Sequence, residues 1–162
     1  AGFARAMADI AAAGGDAVIL VDCPVEALAD YDADLKTSGI TPIMLVAPTT
    51  TADRRQQIIA HASGFLYFVS LRGVTGTQEA QADAIAADIR TLKNETDVPV
   101  CIGFGIRDGE TARQMAELAD GVVIGSALVA RLHAAFDAKQ PLGDTATAFI
   151  RDIRAHLDKE PT

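Results

Sequence analysis

Two patterns of apolar residues alternate along the chain. Short unbroken apolar runs at 16–21, 41–47, 64–69, 98–102 and 121–124 read as strands. Between them, apolar residues recur every three or four positions. Those stretches read as helices over 3–13, 25–37, 52–62, 77–93, 109–119 and 126–138, with a last amphipathic helix over 144–158. Phe3, Met7 and Ile10 form one stripe in the first; Phe149, Ile153 and Leu157 form one in the last. Breakers fall between the segments. Gly14-Gly15 and Ser38-Gly39 stop helices, Pro24 suits a helix start, and a threonine after Pro48 suits an N-cap. Strands alternating with helices imply βαβ units and a parallel sheet buried on both faces. The expectation is an α/β fold of one domain, residues 1–162. It is a parallel (β/α) barrel segment of TIM-barrel type, with five strands in chain order.

Composition narrows the partners. The chain has 162 residues, is 49% hydrophobic and carries a net charge of −8, with 14 Lys+Arg. Nucleic acid and anionic membranes both need a basic patch, so neither is expected as a partner. An anionic substrate must then be held by backbone dipoles. Cys23 and Cys101 sit in or beside apolar runs and read as isolated thiols, which suits a reducing cytoplasm. No apolar run approaches the roughly 18 residues of a membrane span. The chain begins Ala1-Gly2-Phe3 in helical periodicity, without Met, which suggests a fragment, a processed chain or an absent N-terminal part.

The candidate chemistry lies where strands turn into glycine. Three stretches share this design: the 69–76 loop (VSLRGVTG), Ile102-Gly103-Phe104-Gly105, and Val123-Ile124-Gly125-Ser126. A phosphate needs several N–H donors converging on one point, and a helix N-terminus supplies them with a favourable dipole. Glycine lets the ligand approach the backbone. In β/α barrels the loops after the last two strands often build such a site. Turn chemistry alone would also place glycines there. Tyr67 either points into a barrel mouth or is a core aromatic, because a one-residue slip reverses its face. Phe104, between two glycines, reads as a pocket wall. Asp22, at a strand end, is either a catalytic acid or a cap for the helix near Pro24. Glu26, Asp30, Asp32 and Asp34 read as a solvated helix face. The three histidines fall on helices without metal-ligand spacing, so no metal is expected.

Taken in order, Asp22-Cys23-Pro24-Val25-Glu26, Ala47-Pro48-Thr49-Thr50, Tyr67-Phe68-Val69-Ser70 with Gly73-Val74-Thr75-Gly76, Gly103-Phe104-Gly105-Ile106 and Gly125-Ser126-Ala127 resemble the tryptophan synthase alpha subunit. The resemblance covers essentially the whole chain, as the fourth to eighth strands of that family's eight-stranded barrel. It implies retro-aldol cleavage of indole-3-glycerol phosphate to indole and glyceraldehyde 3-phosphate, in tryptophan biosynthesis. It implies a beta subunit as partner and no cofactor. By the same resemblance Gly76, Gly103, Gly105, Gly125 and Ser126 bind the substrate phosphate. Ile19, Val21, Leu45, Tyr67 and Phe104 line the indole pocket, and Thr75 sits on a supporting lid. The family's catalytic glutamate and aspartate match no residue here, so this chain alone is expected to be inactive. A lid in the family often carries a basic residue after Gly-Val-Thr-Gly, where this chain has Thr77-Gln78-Glu79. Two alternatives are a non-catalytic phosphate-binding half-barrel and another phosphate-binding barrel isomerase or aldolase.

Overall fold

The computed structural model describes residues 2–69, 78–103 and 105–159. Five strands run parallel in one sheet: β1 (Ala17–Ile19), β2 (Thr41–Val46), β3 (Leu66–Phe68), β4 (Val100–Ile102) and β5 (Gly121–Val122). Their order follows the chain, β1-β2-β3-β4-β5. Seven helices are described: α1 (Phe3–Ala12), α2 (Asp32–Ser38), α3 (Ala52–Ala60), α4 (Gln78–Glu95), α5 (Gly109–Ala116), α6 (Ser126–Asp137) and α7 (Leu142–Leu157). The chain forms two compact units, residues 1–100 and 101–162.

In the first unit the register pairs Ile19 with Ile43 and Leu45 with Tyr67. Side chains alternate across a strand, so Met44, Val46, Leu66 and Phe68 share the opposite face. That face is buried, with Leu66 fully enclosed and Phe68 2% exposed. From α4, Ile89 and Leu92 are also fully buried. The other face is only half covered: Leu45 and Tyr67 are intermediate and Ile19 is exposed. Burial on both faces, expected from the unbroken apolar runs, therefore fails here. The apolar character of Ile19, Leu45 and Tyr67 goes to the wall of a cavity.

The single helix expected over 25–37 is two pieces. Val25–Asp30 is a 3₁₀ helix, and α2 starts after Tyr31. Both pieces place apolar residues three or four apart, so periodicity alone cannot separate them. The Tyr31 ring lies 4.4 Å from the Phe3 ring of α1. Thr51 caps α3, its hydroxyl accepting from the Arg54 N–H. Arg55 then ties α3 to α4. Its Nε and Nη2 donate to the Glu95 carboxylate at 2.8 and 2.7 Å, and Nη1 donates to the Thr50 carbonyl.

That pair sets a pH dependence. The hydrogen bond from Arg55 holds the Glu95 carboxyl below its usual 4.5. A carboxyl with a lowered folded-state pKa stabilises fully above its unfolded value and less as pH falls through the folded one. Glu95→Gln should therefore lower stability by about 1.5–3 kcal/mol at pH 7, the range for hydrogen bonds to charged groups. The difference should shrink below pH 4.5. Urea unfolding at about pH 7 and about pH 3 measures this, and an equal deficit at both would remove the carboxylate from the account.

In the second unit β4 and β5 pair through Cys101–Gly121 and Ile102–Val122, and Val123 N–H donates to the Ile102 carbonyl at 2.8 Å. Cys101 is half-buried, and burial pushes its thiol pKa up. A Cβ on Gly121 would stand 2.9 Å from its sulfur. Ile106, Ala112, Phe149 and Ile153 form the core of this unit. Asp108 caps α5 through a capping box with Thr111. The start of α5 lies so close to α7 that a Cβ on Gly109 would enter the imidazole of His156. His156 Nδ1 is fixed in turn against the Asp152 carbonyl at 2.8 Å. Only a glycine admits that approach without displacing the ring.

Candidate functional site

The first unit holds a cavity of about 550 Å³ at the ends of β1, β2 and β3. Ile19, Val21, Leu45 and Tyr67, all singled out from the sequence as pocket residues, line it together. Register explains the grouping, since Leu45 and Tyr67 are cross-strand partners on one face. The size suits a small-molecule site, which is apolar with a few placed polar groups. Here the polar lining includes Thr50, Arg54 and Cys23. Tyr67 thus faces a cavity, not the helix-covered core.

Asp22 is exposed, beside the cavity's Val21 and Cys23. It does not cap the 3₁₀ helix, whose N-cap is Pro24 with no side-chain hydrogen bond. Glu26, expected in a solvated helix face, is half-exposed but paired. Arg54 Nη1 and Nη2 donate to its two oxygens at 2.5 and 2.9 Å. This hydrogen bonding lowers the Glu26 pKa. Sequence reading missed the pair because its members are 28 positions apart. The available signal was an acid in the helical segment after one strand and an arginine in the helix after the next.

In the second unit the loops after β4 and β5 leave neighbouring strand ends. Gly103 follows β4 directly and is buried. Gly105 has φ +67°, a left-handed conformation that favours glycine. Gly125 is the N-cap of α6 and Ser126 its first residue. No acidic side chain occupies the first turn of α6, and no side chain caps it. Val129 N–H makes the first bond of the helix to the Gly125 carbonyl, at 3.1 Å. The N–H groups of the first turn before it have no partner within the helix, as at any α-helix start. A Cβ on Gly125 would meet nothing within 4 Å. The protein itself therefore does not demand glycine there.

Thr75, Gly76 and Phe104 lie outside the described residues. Among the described residues no group of three His, Cys, Asp or Glu could hold a metal ion, and no helix is long and apolar enough to cross a membrane.

Parallel strands in chain order, alternating with helices, define a parallel α/β fold of the TIM-barrel type. The tryptophan synthase alpha chain family matches residues 1–157, and the chain belongs to that family. A relative from Burkholderia multivorans, a tryptophan synthase alpha chain, is 47% identical over 93% of this chain and 55% of its own length. The crystal structure of the tryptophan synthase alpha chain from Legionella pneumophila superposes with a TM-score of 0.86 at 32% identity, covering 99% of this chain and 59% of that one. A structure of the tryptophan synthase a2b2 complex from Pyrococcus furiosus, concerned with mutual activation, gives 0.78 at 28% identity over 95% and 61%. The chain thus spans little more than half the length of the relatives it matches.

Proposed function

We propose that this chain carries the substrate-holding part of an indole-3-glycerol-phosphate lyase, the alpha component of tryptophan synthase. Residues 1–162 are the C-terminal part of a (β/α)₈ barrel domain, and the setting is the cytoplasm. One observation carries the reading: four residues expected to hold an indole ring line a single apolar cavity of suitable size. In the second unit, the first turn of α6 offers neutral N–H donors for a phosphate. Gly105, exposed and left-handed, lets a ligand approach the backbone of the loop after β4, and Gly103 joins the assignment by resemblance. Thr75, Gly76 and Phe104 complete the assignment by resemblance. The partner is a beta subunit, to which the product indole passes.

Retro-aldol cleavage needs one group to accept a proton from the glycerol hydroxyl and another to donate one to the indole ring carbon that leaves. The glutamate and aspartate that do this in the family have no match here. The present residues bind and orient. Each positioned acid or base contributes about 10²–10⁴-fold in rate. The 162-residue chain should therefore bind indole-3-glycerol phosphate without measurable release of indole. Calorimetry for binding and product assay for turnover separate the outcomes. No binding would overturn the site, and robust turnover would place an acid–base pair, with Asp22 the first candidate, within this chain.

A further inference from the structure

Building on that reading, we infer that the Arg54–Glu26 pair is a strap that fixes the width of the apolar cavity, which makes Arg54 a positioning residue for the ring bound there. The cavity has two side walls. Pro24, Val25 and Leu28 come from the segment after β1, and Thr50, Arg54 and Ile58 from the segment after β2. The two walls differ in how firmly they are held. The α3 wall is capped by Thr51 and anchored to α4 through Arg55 and Glu95. The opposite wall is a 3₁₀ helix without a side-chain cap, a form with poorer hydrogen-bond geometry. Adjacent arginines thus divide the work. Arg55 anchors α3 from behind, and Arg54 reaches from the anchored wall to the looser one.

The geometry of the pair fits that role. Two parallel N–H···O bonds, at 2.5 and 2.9 Å, fix orientation as well as distance. A lysine could supply the charge but not the fork. Both side chains are about half exposed, 43% for Arg54 and 56% for Glu26, so the pair adds little to global stability and is open to screening by salt. Its effect is local, on a wall that an aromatic ring must fit against.

The test uses indole as the probe. The chain has no tryptophan, so indole emission is read without background. Dissociation constants are compared for the unaltered chain, Arg54→Ala, Arg54→Lys, Glu26→Gln and the exchange Glu26→Arg/Arg54→Glu. Each single variant should bind indole about two- to five-fold more weakly at low salt, as expected for loss of an exposed ion pair. The exchange should recover part of the loss, and the difference should close at about 1 M salt. Melting temperatures should stay together. Unchanged affinity in the single variants overturns the strap. So does a loss that neither the exchange nor salt alters, since that is a packing effect of the arginine stem. If the unaltered chain binds no indole, the indole reading falls. The strap is then judged by the same variants with naphthalene, a neutral ring of similar size.

Discussion

Phe149→Ala should destabilise the second unit by about 3–5 kcal/mol, the range for removing a buried aromatic. Phe149 is 4% exposed and packs with Ile106, Ala112 and Ile153. Partly buried side chains from β5 and α6, among them Val122 and Leu128, surround that cluster. The ring also lies under the Arg131 guanidinium, 4.5 Å from its centroid, and the substitution removes this cation–π attraction as well. A single domain is typically stable by about 5–15 kcal/mol in total, so one such substitution takes away a large share. Phe136→Ala is the control. Phe136 is on α6 but 69% exposed, and its removal should shift stability by no more than about 0.5 kcal/mol. Guanidinium unfolding followed by circular dichroism ranks the two. Equal midpoints would mean that the cluster around Phe149 is not what holds α5, α6 and α7 together.

Gly125→Val should abolish phosphate binding and leave the fold intact. The two halves of that statement rest on different observations. The space beside Gly125 is open, and its φ of −115° is accessible to other residues. The folding cost is then limited to a poorer N-cap, about 1 kcal/mol. A branched side chain would nevertheless stand where phosphate oxygens must approach the first turn of α6. Hydrogen bonds to a charged group contribute about 1.5–3 kcal/mol each, so removing two should weaken glycerol phosphate binding by roughly a hundredfold or more. Arg107→Ala should change affinity only modestly, because Arg107 flanks the glycines of its loop and does not sit among them. Titration with glycerol phosphate gives the ranking. A large loss with Arg107→Ala and a small one with Gly125→Val would replace the backbone cradle with an arginine clamp.

The existence of nearly every element was legible in the sequence, since apolar runs and helical stripes differ in period. Thr51 and Gly39 marked their boundaries by the chemistry of caps and stops. Strand lengths were overestimated. The run at 121–124 yields a strand of only Gly121–Val122, because Ile124 joins the core around Phe149 without extending the ladder. The 3₁₀ break at Tyr31 was invisible, as both helix types satisfy the same spacing. The cavity was half legible. Its residues could be named, but whether Tyr67 faced it depended on a register that no local pattern sets. Glu26 and Arg54 were not legible as a pair, because proximity between segments after successive strands is a product of the fold.

The thiol of Cys101 against Gly121 has a use as a clock. While β4 and β5 stay paired, the half-buried sulfur is shielded and held in its poorly reactive protonated form. Parting of the two strands should then raise its rate of modification by a thiol reagent. In a Cys23→Ser background, changes in the labelling rate report on opening of that ladder in the native protein. The readout needs neither denaturant nor enzyme activity. It would also show whether added phosphate slows the opening, as the site proposed beyond the ends of those same two strands requires.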